Sequence, residues 1–292
     1  MDLIDELRQN NIHIRDEIKV TEMLKELMEG GPDRLQVIAD FDMTLSKFIH
    51  KGVRCDTCHN ILDESPLLPE FFREKAVKYR KKYFAIETDP NMTVEEKYPY
   101  MVEWWTLGHE LLIQSNVTKH KLEEMVRDSK AKLREGCDWF FEQLHKQEVP
   151  LLIFSAGLGD LIEEIIRQQA HLYSNMKIVS NYMEFDEEGV LIGWKGDLIH
   201  TFNKNESAIH KSDYFSRLRH RENVILLGDS IGDLRMAEGA TDAKHILKIG
   251  FLNHKVEESL QLYKSKFDIV IVQDESLDIP NAIYRKIQNK RV

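Results

Sequence analysis

The chain has 292 residues, of which 42% are hydrophobic and 31% charged, and its formal net charge is −10 at pH 7. This acidic balance argues against a nucleic-acid backbone as partner, although it permits a small anionic substrate where cations gather. No apolar run reaches membrane-spanning length, and the first residues lack the layout of a signal peptide. We therefore expect a cytoplasmic protein without a membrane partner, in which the three cysteines stay reduced.

The first part of the chain predicts a helix followed by a buried strand. Apolar residues recur at helical spacing through 3–28, and the Gly-Gly-Pro run at 30–32 supplies a stop. The short apolar run at 35–39 then breaks into two acids, Asp40 and Asp42. Ligands of open α/β sheets bind beyond the carboxyl ends of the strands, so these acids mark a candidate site. The alternative is an Asp-x-Asp turn that only caps the strand.

The next stretch, from about residue 52 to 134, has no convincing strand and predicts a helical insertion. Three segments repeat apolar residues every three to four positions, at 68–84, 93–114 and 118–133. Pro99 lies inside the second segment and should kink or split that helix.

Alternating strands and helices return after the insertion. The predicted elements are helix 139–146, strand 149–155, helix 160–170, strand 177–180, a hairpin turning at 186–189, strand 223–228, helix 231–238, strand 246–249 and strand 268–272. Strands and helices in turn predict a parallel sheet with right-handed crossovers, so the predicted fold class is α/β with an inserted helical module.

Polar clusters follow three of the predicted strands, and parallel alignment would bring them to one edge of the sheet. The clusters are Asp40 with Asp42, Ser155 with the amides of Ala156 and Gly157, and Asp229 with Asp233, and Lys204 comes from the connection between the last two. Carboxylate oxygens suit a hard divalent cation such as Mg²⁺, which would offset the repulsion among the acids. The hydroxyl, the free amides and the lysine suit a phosphate.

Other residue types that often bind metals carry less weight here. Cys55-Asp-Thr-Cys58-His59 has the spacing of half a zinc site, but no second pair of ligands completes it. We interpret His59, His109 and His200 as surface or packing residues, because magnesium prefers oxygen ligands.

The polar clusters also carry a resemblance to a known superfamily. Asp40-Phe-Asp42-Met-Thr44, Ser155, Lys204 and Gly228-Asp229-Ser-x-x-Asp233 match, in order, the four motifs of the haloacid dehalogenase-like phosphatases. Longer segments, among them Met101-Val-Glu-Trp-Trp-Thr106 and Ile225-Leu-Leu-Gly-Asp-Ser230, resemble the cytosolic pyrimidine 5'-nucleotidases of type III. The resemblance covers essentially the whole chain. It implies a Rossmann-like parallel sheet core at 1–51 and 136–292, with an α-helical bundle cap inserted at 52–135.

The resemblance implies a catalytic or metal-binding role for four acids. Asp40 would attack phosphorus and form an aspartyl-phosphate, and Asp42 would protonate the departing ribose oxygen. Mg²⁺ would be held by the Asp40 carboxylate, the Asp42 main-chain carbonyl and Asp229, with Asp233 holding a metal-bound water.

Substrate binding is divided between the core and the cap in this resemblance. Ser155, Ala156 and Lys204 would neutralise the charge of the phosphoryl oxygens. The cap would close over the substrate and decide which nucleotide is taken, with Glu87 as the carboxylate that meets the base.

The adjacent tryptophans Trp104 and Trp105 bear on the choice of substrate. At this place, Trp-Trp resembles the branch that acts on 7-methylguanosine monophosphate, whereas the pyrimidine-restricted branch resembles Trp-Tyr. The methylated base is a cation and gains from stacking on an indole, and we expect Trp105 to stack on it while Trp104 lies in the core. Gly108, where the pyrimidine-restricted branch has a serine, leaves room for a larger base.

The hypothesis is a monomeric, Mg²⁺-dependent 5'-nucleotidase that hydrolyses 7-methylguanosine 5'-monophosphate and CMP. One alternative is a pyrimidine-restricted enzyme for CMP and UMP with phosphotransferase side activity. Another is a phosphatase of the same superfamily that acts on a phosphoamino acid or a sugar phosphate. The last is a nucleotide-binding protein with a dead site, and the intact Asp40 and Asp42 count against it.

Overall fold

The computed structural model describes residues 3–89, 91–204 and 214–289. Its strands are β1 (Ile12–Ile14), β2 (Leu35–Ala39), β3 (Ile49–His50), β4 (Val53–Arg54), β5 (Leu151–Leu158), β6 (Met176–Phe185), β7 (Leu191–Lys195), β8 (Asn223–Gly228), β9 (His245–Leu252) and β10 (Ile269–Val272). Its helices are α1 (Leu3–Leu7), α2 (Glu17–Gly30), α3 (Cys58–Asp63), α4 (Glu70–Glu87), α5 (Val94–Gln114), α6 (Lys119–Asp128), α7 (Cys137–Lys146), α8 (Gly159–Gln169), α9 (Tyr214–Arg217), α10 (Val256–Lys266) and α11 (Asp278–Gln288), with 3-10 turns at Pro32–Arg34 and Ile231–Ala237. Within these described ranges, no helix has the length and apolarity needed to cross a membrane.

Eight of the strands form one sheet in the order β1-β10-β9-β8-β2-β5-β6-β7. The strands from β10 to β6 run parallel, and one antiparallel strand closes each edge, β1 beside β10 and β7 beside β6. Parallel strands linked through helices are what the alternating pattern predicts, so the α/β class is confirmed. The three strands in the middle, β8, β2 and β5, are those that end in the predicted polar clusters.

Strand β2 is buried on both faces, as the centre of a parallel sheet requires. Val37 and Ala39 pack into the larger hydrophobic core, which also contains residues of α2, α7, α8 and α11. Ile38 packs into a second core on the opposite face. The carboxyl end of β2 is therefore supported from both sides, and the acids that follow it start from a rigid position.

Helices α3 to α6 make up the helical insertion that precedes α7. Tyr83 from α4 packs with Met101 and Trp105 from α5 in a small core of their own. The predicted cap limit at residue 52 falls in the turn between β3 and β4, a short hairpin that the sequence pattern did not indicate. The limits 52 and 135 of the cap stay a prediction.

The chain enters and leaves the insertion side by side. Ser46 forms an antiparallel bridge with Leu133. The amide of Lys47 donates to the carbonyl of Lys132 (2.7 Å), and the amide of Arg134 donates to the carbonyl of Leu45 (2.9 Å). The two connections are thus one paired unit, directly after the loop that carries the two acids.

The prediction of one leading helix at 3–28 is wrong. The segment divides into α1, β1 and α2, because β1 pairs antiparallel with β10 and completes the sheet edge. Asp16 then caps α2 by accepting hydrogen bonds from the amides of Ile18 (3.2 Å) and Lys19 (3.1 Å). Ile18, one of the apolar residues at helical spacing in this segment, is 73% exposed. A long-range strand pairing overrides the local pattern here.

In the insertion, the predicted split at Pro99 and the predicted end of the third helix also need correction. Helix α5 continues through Pro99 without being split, because the proline lies near the start of the helix and deprives only the exposed Glu95 carbonyl of a donor. Helix α6 ends at Asp128 rather than at residue 133. In the segment after it, the amide of Lys130 donates to a carboxylate oxygen of Asp56, near the start of the insertion (2.8 Å).

The loop after β2 is held by a buried arginine. The Arg134 guanidinium donates to the carbonyls of Thr44 (2.6 Å) and Met43 (2.7 Å), to the carbonyl of Asp274, and to Oδ1 of Asn253 (2.9 Å). Met43 has a φ of 63°, which a residue with a side chain adopts only under constraint. Burial lowers the pKa of Arg134 to about 10, so the guanidinium remains charged at neutral pH.

Replacing Arg134 with methionine should lower the free energy of unfolding by about 3 kcal/mol, because several buried carbonyls lose their donor. Urea unfolding of the parent and of Arg134→Met measures the change. The matched control is Arg127→Met on the exposed surface, which should change it by less than about 0.5 kcal/mol. Equal losses in the two variants would contradict this account of the loop.

Two histidines are used in packing between the insertion and the core, as expected. His109 of α5 lies face to face on Trp194 of β7, with ring centroids 3.6 Å apart and planes within 9°. His200 is fully buried and meets the ring of Tyr98 edge-on at 4.6 Å. Burial lowers the pKa of His109 to about 3 and that of His200 to about 4, so both are neutral near pH 7.

The contribution of these histidines to folding stability should therefore fall as the pH drops from 7 to 5. A histidine in the unfolded chain titrates at about 6.5, whereas folded His109 takes up its proton only at about 3, so the unfolded state binds more protons in this window. His109 alone should cost about 2 kcal/mol at pH 5. Urea unfolding at both pH values should show that His109→Phe, which keeps the stack on Trp194, gains about 2 kcal/mol relative to the parent between pH 7 and pH 5. The same change of stability in parent and variant would refute this.

Candidate active site

The carboxyl ends of β8, β2 and β5 bring the predicted polar clusters to one edge of the sheet. Ala39 of β2 is in register with Leu227 of β8 and with Ile153 of β5. The amide of Asp40 donates to the carbonyl of Leu227 (3.0 Å), which keeps the acid in line with the strand. The predicted polar residues at the carboxyl ends of these three strands therefore lie at about the same height along the strand direction.

Three carboxylates and one lysine form the centre of the site. Nζ of Lys204 donates to Oδ1 of Asp40 (2.5 Å) and to Oδ1 of Asp233 (2.8 Å). Asp40, Asp229 and Asp233 each place a carboxylate oxygen within 4.8 Å of the other two. Lys204 is buried together with Asp40 and Asp233. One ammonium thus faces three acids, and negative charge is in excess.

The pKa values of the acids are raised in this crowded and largely buried group. Burial raises the pKa of Asp40 to about 7, although the attraction of Lys204 works in the opposite direction. Burial, with repulsion from Asp233 and Asp40, raises the pKa of Asp229 well above its ordinary value. Burial alone would lower the pKa of Lys204, but the attraction of Asp233 and Asp40 outweighs it and raises the pKa. Since all the acidic ligand atoms are oxygens, the group fits a hard divalent cation.

Asp42 lies outside this carboxylate group. Its Oδ1 accepts a hydrogen bond from the amide of Cys58 (3.0 Å), the first residue of α3. Burial raises its pKa to about 6, while the Cys58 amide works against the shift. Asp40 is paired with a lysine and Asp42 with an amide, so the two carboxyls have the different surroundings that different chemical roles require.

The segment after Phe154 leaves the regular strand ladder. The pairing of β5 with β6 shifts register between Phe154 and Leu158. Ser155 Oγ accepts from the amide of Gly157 (3.0 Å), which forms a small turn. A Cβ added at Gly157 would lie 3.1 Å both from Oδ2 of Asp42 and from Oγ of Ser155. The absence of a side chain there lets the turn approach Asp42.

A cavity of about 940 Å³ lies between this sheet edge and the helical insertion. The predicted residues that line it are Asp40, Asp42, Glu87, Trp105, Gly108, Ser155, Ala156, Lys204 and Asp229. Asp233 lies behind it, where its Oδ2 accepts from the amides of Asp229 (3.1 Å) and Ser230 (2.9 Å). The structure thus brings the predicted catalytic, phosphate and base residues to one space.

The two adjacent tryptophans both line this cavity and contact each other. Their ring centroids are 5.1 Å apart and their planes make an angle of 75°. Trp105 is the more buried of the two, and its indole Nε1 donates to the carbonyl of Ala156 (3.1 Å). Trp104 is half-buried and stacks on Tyr83. The expectation that Trp104 is the core member of the pair is therefore wrong as far as burial is concerned, because the indole bond draws Trp105 against the sheet.

The insertion also contributes Glu87 and Gly108 to the cavity wall. Glu87 ends α4, and its Oε1 accepts from the hydroxyl of Thr201 (2.7 Å). Burial raises its pKa, while the Thr201 hydroxyl opposes the shift. A Cβ added at Gly108 would meet nothing within 4 Å, so open space lies at that position. Room for a larger base is thus present beside the indoles.

Thr201 and Arg54 are among the polar residues of the cavity wall that sequence reasoning missed. Thr201 carries no local signal of its own, although it lies three positions before Lys204 on the same loop. Arg54 of β4 places its guanidinium over the ring of Phe48, 3.7 Å from the centroid.

The half zinc motif gains no support, because no Cys belongs to a metal-binding cluster among the described residues.

Comparison with known proteins agrees with this geometry. The model of the pyrimidine 5'-nucleotidase family (UMPH-1) matches residues 43–288. The human 7-methylguanosine phosphate-specific 5'-nucleotidase is 50% identical over 284 residues, covering 97% of this chain and 95% of that protein. The crystal structure of a cytosolic 5'-nucleotidase IIIB bound to cytidine has a TM-score of 0.89 at 36% identity, and the match covers 99% of this chain and 98% of that one.

A more distant structure bears on the fold alone. A HAD family hydrolase from Salmonella enterica serovar Typhi has a TM-score of 0.55 at 15% identity, and the match covers 90% of this chain and 74% of that one. The expected haloacid dehalogenase-like fold is confirmed. The chain belongs to the pyrimidine 5'-nucleotidase family (UMPH-1) and, as a 5'-nucleotidase, is a phosphoric monoester hydrolase.

Proposed function

We propose that the protein is a Mg²⁺-dependent 5'-nucleotidase that hydrolyses 7-methylguanosine 5'-monophosphate and CMP to the nucleoside and phosphate. One observation carries the proposal: a single cavity joins the acid and lysine group at the sheet edge to two indoles and a carboxylate from the insertion. The name of the human relative supports the methylated substrate, and the cytidine in the solved relative supports CMP. We also propose a cytoplasmic monomer, and the cytosolic designation of the solved relative supports that location.

The proposed reaction proceeds in two displacements at phosphorus. A carboxylate oxygen of Asp40 forms a bond to phosphorus while the bond from phosphorus to the ribose 5'-oxygen breaks, and the carboxyl of Asp42 gives its proton to the departing oxygen. Asp42 then takes a proton from water, whose oxygen attacks phosphorus and breaks the bond to Asp40. The raised pKa of Asp42, about 6, supports a group that both gives and takes a proton near neutral pH.

The phosphoryl oxygens need positive charge and donors in this scheme. Lys204 holds its proton beside Asp40 and provides the positive charge. The Ser155 hydroxyl and the amide of Ala156 provide the hydrogen-bond donors. Asp40, Asp229, Asp233 and the main-chain carbonyl of Asp42 would hold Mg²⁺. When bound, the ion supplies the positive charge that offsets the repulsion of the acids and of the phosphate.

The base is proposed to lie against the insertion. An N7-methylated guanine carries positive charge, and the face of Trp105 or Trp104 attracts it through a cation–π interaction. The Glu87 carboxylate can accept from the N1–H and the amino group of the same base. The open space at Gly108 supports a purine, and the smaller cytosine fits the same room.

Phosphate release should depend on both the metal and Asp40. With Mg²⁺ present, the parent should release phosphate from 7-methylguanosine monophosphate and CMP, and EDTA should abolish release until excess Mg²⁺ restores it. Asp40→Asn should lose roughly a thousandfold or more in kcat, because amide nitrogen and oxygen are poor nucleophiles. The matched control is Asp128→Asn, an exposed acid outside the cavity lining, which should retain parental activity. No release from either nucleotide, or release indifferent to EDTA, would refute the proposal.

Exchange of Trp105 for tyrosine should reduce the preference for the methylated purine. The ratio of kcat/KM values for 7-methylguanosine monophosphate and CMP should fall by about tenfold, since the cation–π attraction of a phenol ring is weaker than that of an indole. Trp104→Tyr, measured in parallel, should change the ratio less, and Trp139→Tyr on α7 should leave it unchanged. If Trp104→Tyr has the larger effect, Trp104 is the stacking residue and the choice of Trp105 is wrong.

A further inference from the structure

The loop from Leu198 to Lys204 contacts both halves of the proposed site. At one end, Lys204 bonds Asp40 and Asp233. Three residues earlier, Thr201 reaches across to the insertion and bonds Glu87. One short segment of chain therefore carries both Lys204, which its motif identifies, and Thr201, which sequence reasoning missed.

This loop is itself tightly held. The side-chain amide of Asn181 donates to the carbonyl of Ile199 (2.8 Å), and its Oδ1 accepts from the amide of the same residue (2.9 Å). Asn203 ties the loop internally by donating to the carbonyl of Leu198 (2.7 Å) and accepting from the amide of His200 (2.7 Å). The hydroxyl of Thr201 is thus presented from a fixed support rather than from a loose connection.

The partner of Thr201 is also restrained. Glu87 is the last residue of α4, and its main-chain carbonyl accepts from Nζ of Lys97 (2.9 Å). Its Oε1 accepts from Thr201 at 2.7 Å, whereas no described residue donates to its Oε2. The hydrogen bond to one oxygen restrains this carboxylate, and each oxygen retains lone pairs for a ligand.

We propose that Thr201 is a positioning residue for recognition of the guanine base, because it restrains the Glu87 carboxylate at the cavity wall and ties the insertion to the loop of Lys204. The inference rests on the proposed function and names a residue that sets its substrate preference. A guanine edge offers two adjacent donors to the carboxylate, N1–H and the amino group. Cytosine offers one donor, its amino group, next to an acceptor nitrogen. Correct orientation of Glu87 therefore matters more for guanine than for cytosine.

The test compares Thr201→Val, which keeps the shape and removes the hydroxyl, with Thr201→Ser, which keeps the hydroxyl. In Thr201→Val, KM for 7-methylguanosine monophosphate should rise about tenfold with little change in kcat, since one charge-assisted hydrogen bond is lost. KM for CMP should rise less, and turnover of ribose 5-phosphate, which has no base, should stay at the parental level. Thr201→Ser should restore the parental KM. Thr118→Val, at a hydroxyl outside the cavity lining, serves as the matched control.

A second readout does not depend on turnover. Binding of the nucleoside 7-methylguanosine, followed by quenching of tryptophan fluorescence, should weaken about tenfold in Thr201→Val and return in Thr201→Ser. An active parent whose nucleotide preference and nucleoside affinity are unchanged in Thr201→Val overturns the role of Thr201 alone. A parent that releases no phosphate from any nucleotide overturns the proposed function, and the role of Thr201 falls with it. A loss of equal size on all three substrates also overturns it, because that pattern indicates damage to the phosphate end.

Discussion

Repulsion among three clustered carboxylates, partly offset by one lysine, is the constraint on which the rest of this structure depends. Asp40, Asp229 and Asp233 lie within one coordination sphere of each other, and Lys204 neutralises only part of their charge. Such a group of like charges stays together only where the backbone is held so that the acids cannot move apart. The centre of a parallel sheet provides this, because β2 is packed on both faces and its neighbours end at the same level.

The two chemical tasks of the site are assigned to two parts of the fold. The sheet edge carries the groups suited to a phosphate and a metal ion, whereas the insertion carries aromatic rings and the Glu87 carboxylate. Two of the hydrogen bonds that join them run from Trp105 to the carbonyl of Ala156 and from Thr201 to Glu87. Both bonds end on segments that also hold phosphate-directed groups, so the base and the phosphate ends of the cavity have a fixed spacing.

The sequence reveals the chemistry of this protein better than the details of its fold. Asp40, Asp42, Ser155 and Asp229 are found because the ends of parallel strands converge, whatever the intervening loops do. Strand β1 is missed because its partner β10 lies more than 250 residues away, and no local pattern reports that pairing. Thr201 is missed for a similar reason, since its importance comes from a carboxylate on another element. The burial of Trp105 depends on a backbone carbonyl that the sequence does not single out.

The pairing of the two connections to the insertion has a mechanical consequence. Since the chain enters beside Ser46 and leaves beside Leu133 as one antiparallel unit, both covalent connections between the insertion and the sheet pass through one paired pivot. Arg134 clamps the core side of that pivot to the carbonyls of Met43 and Thr44. Rotation of the insertion about this pivot would have to break its contacts with the sheet, among them the bond from Trp105 to Ala156, but the loop after β2 would stay clamped by Arg134. Such a movement of the insertion would change access to Asp40 without changing the position of its loop.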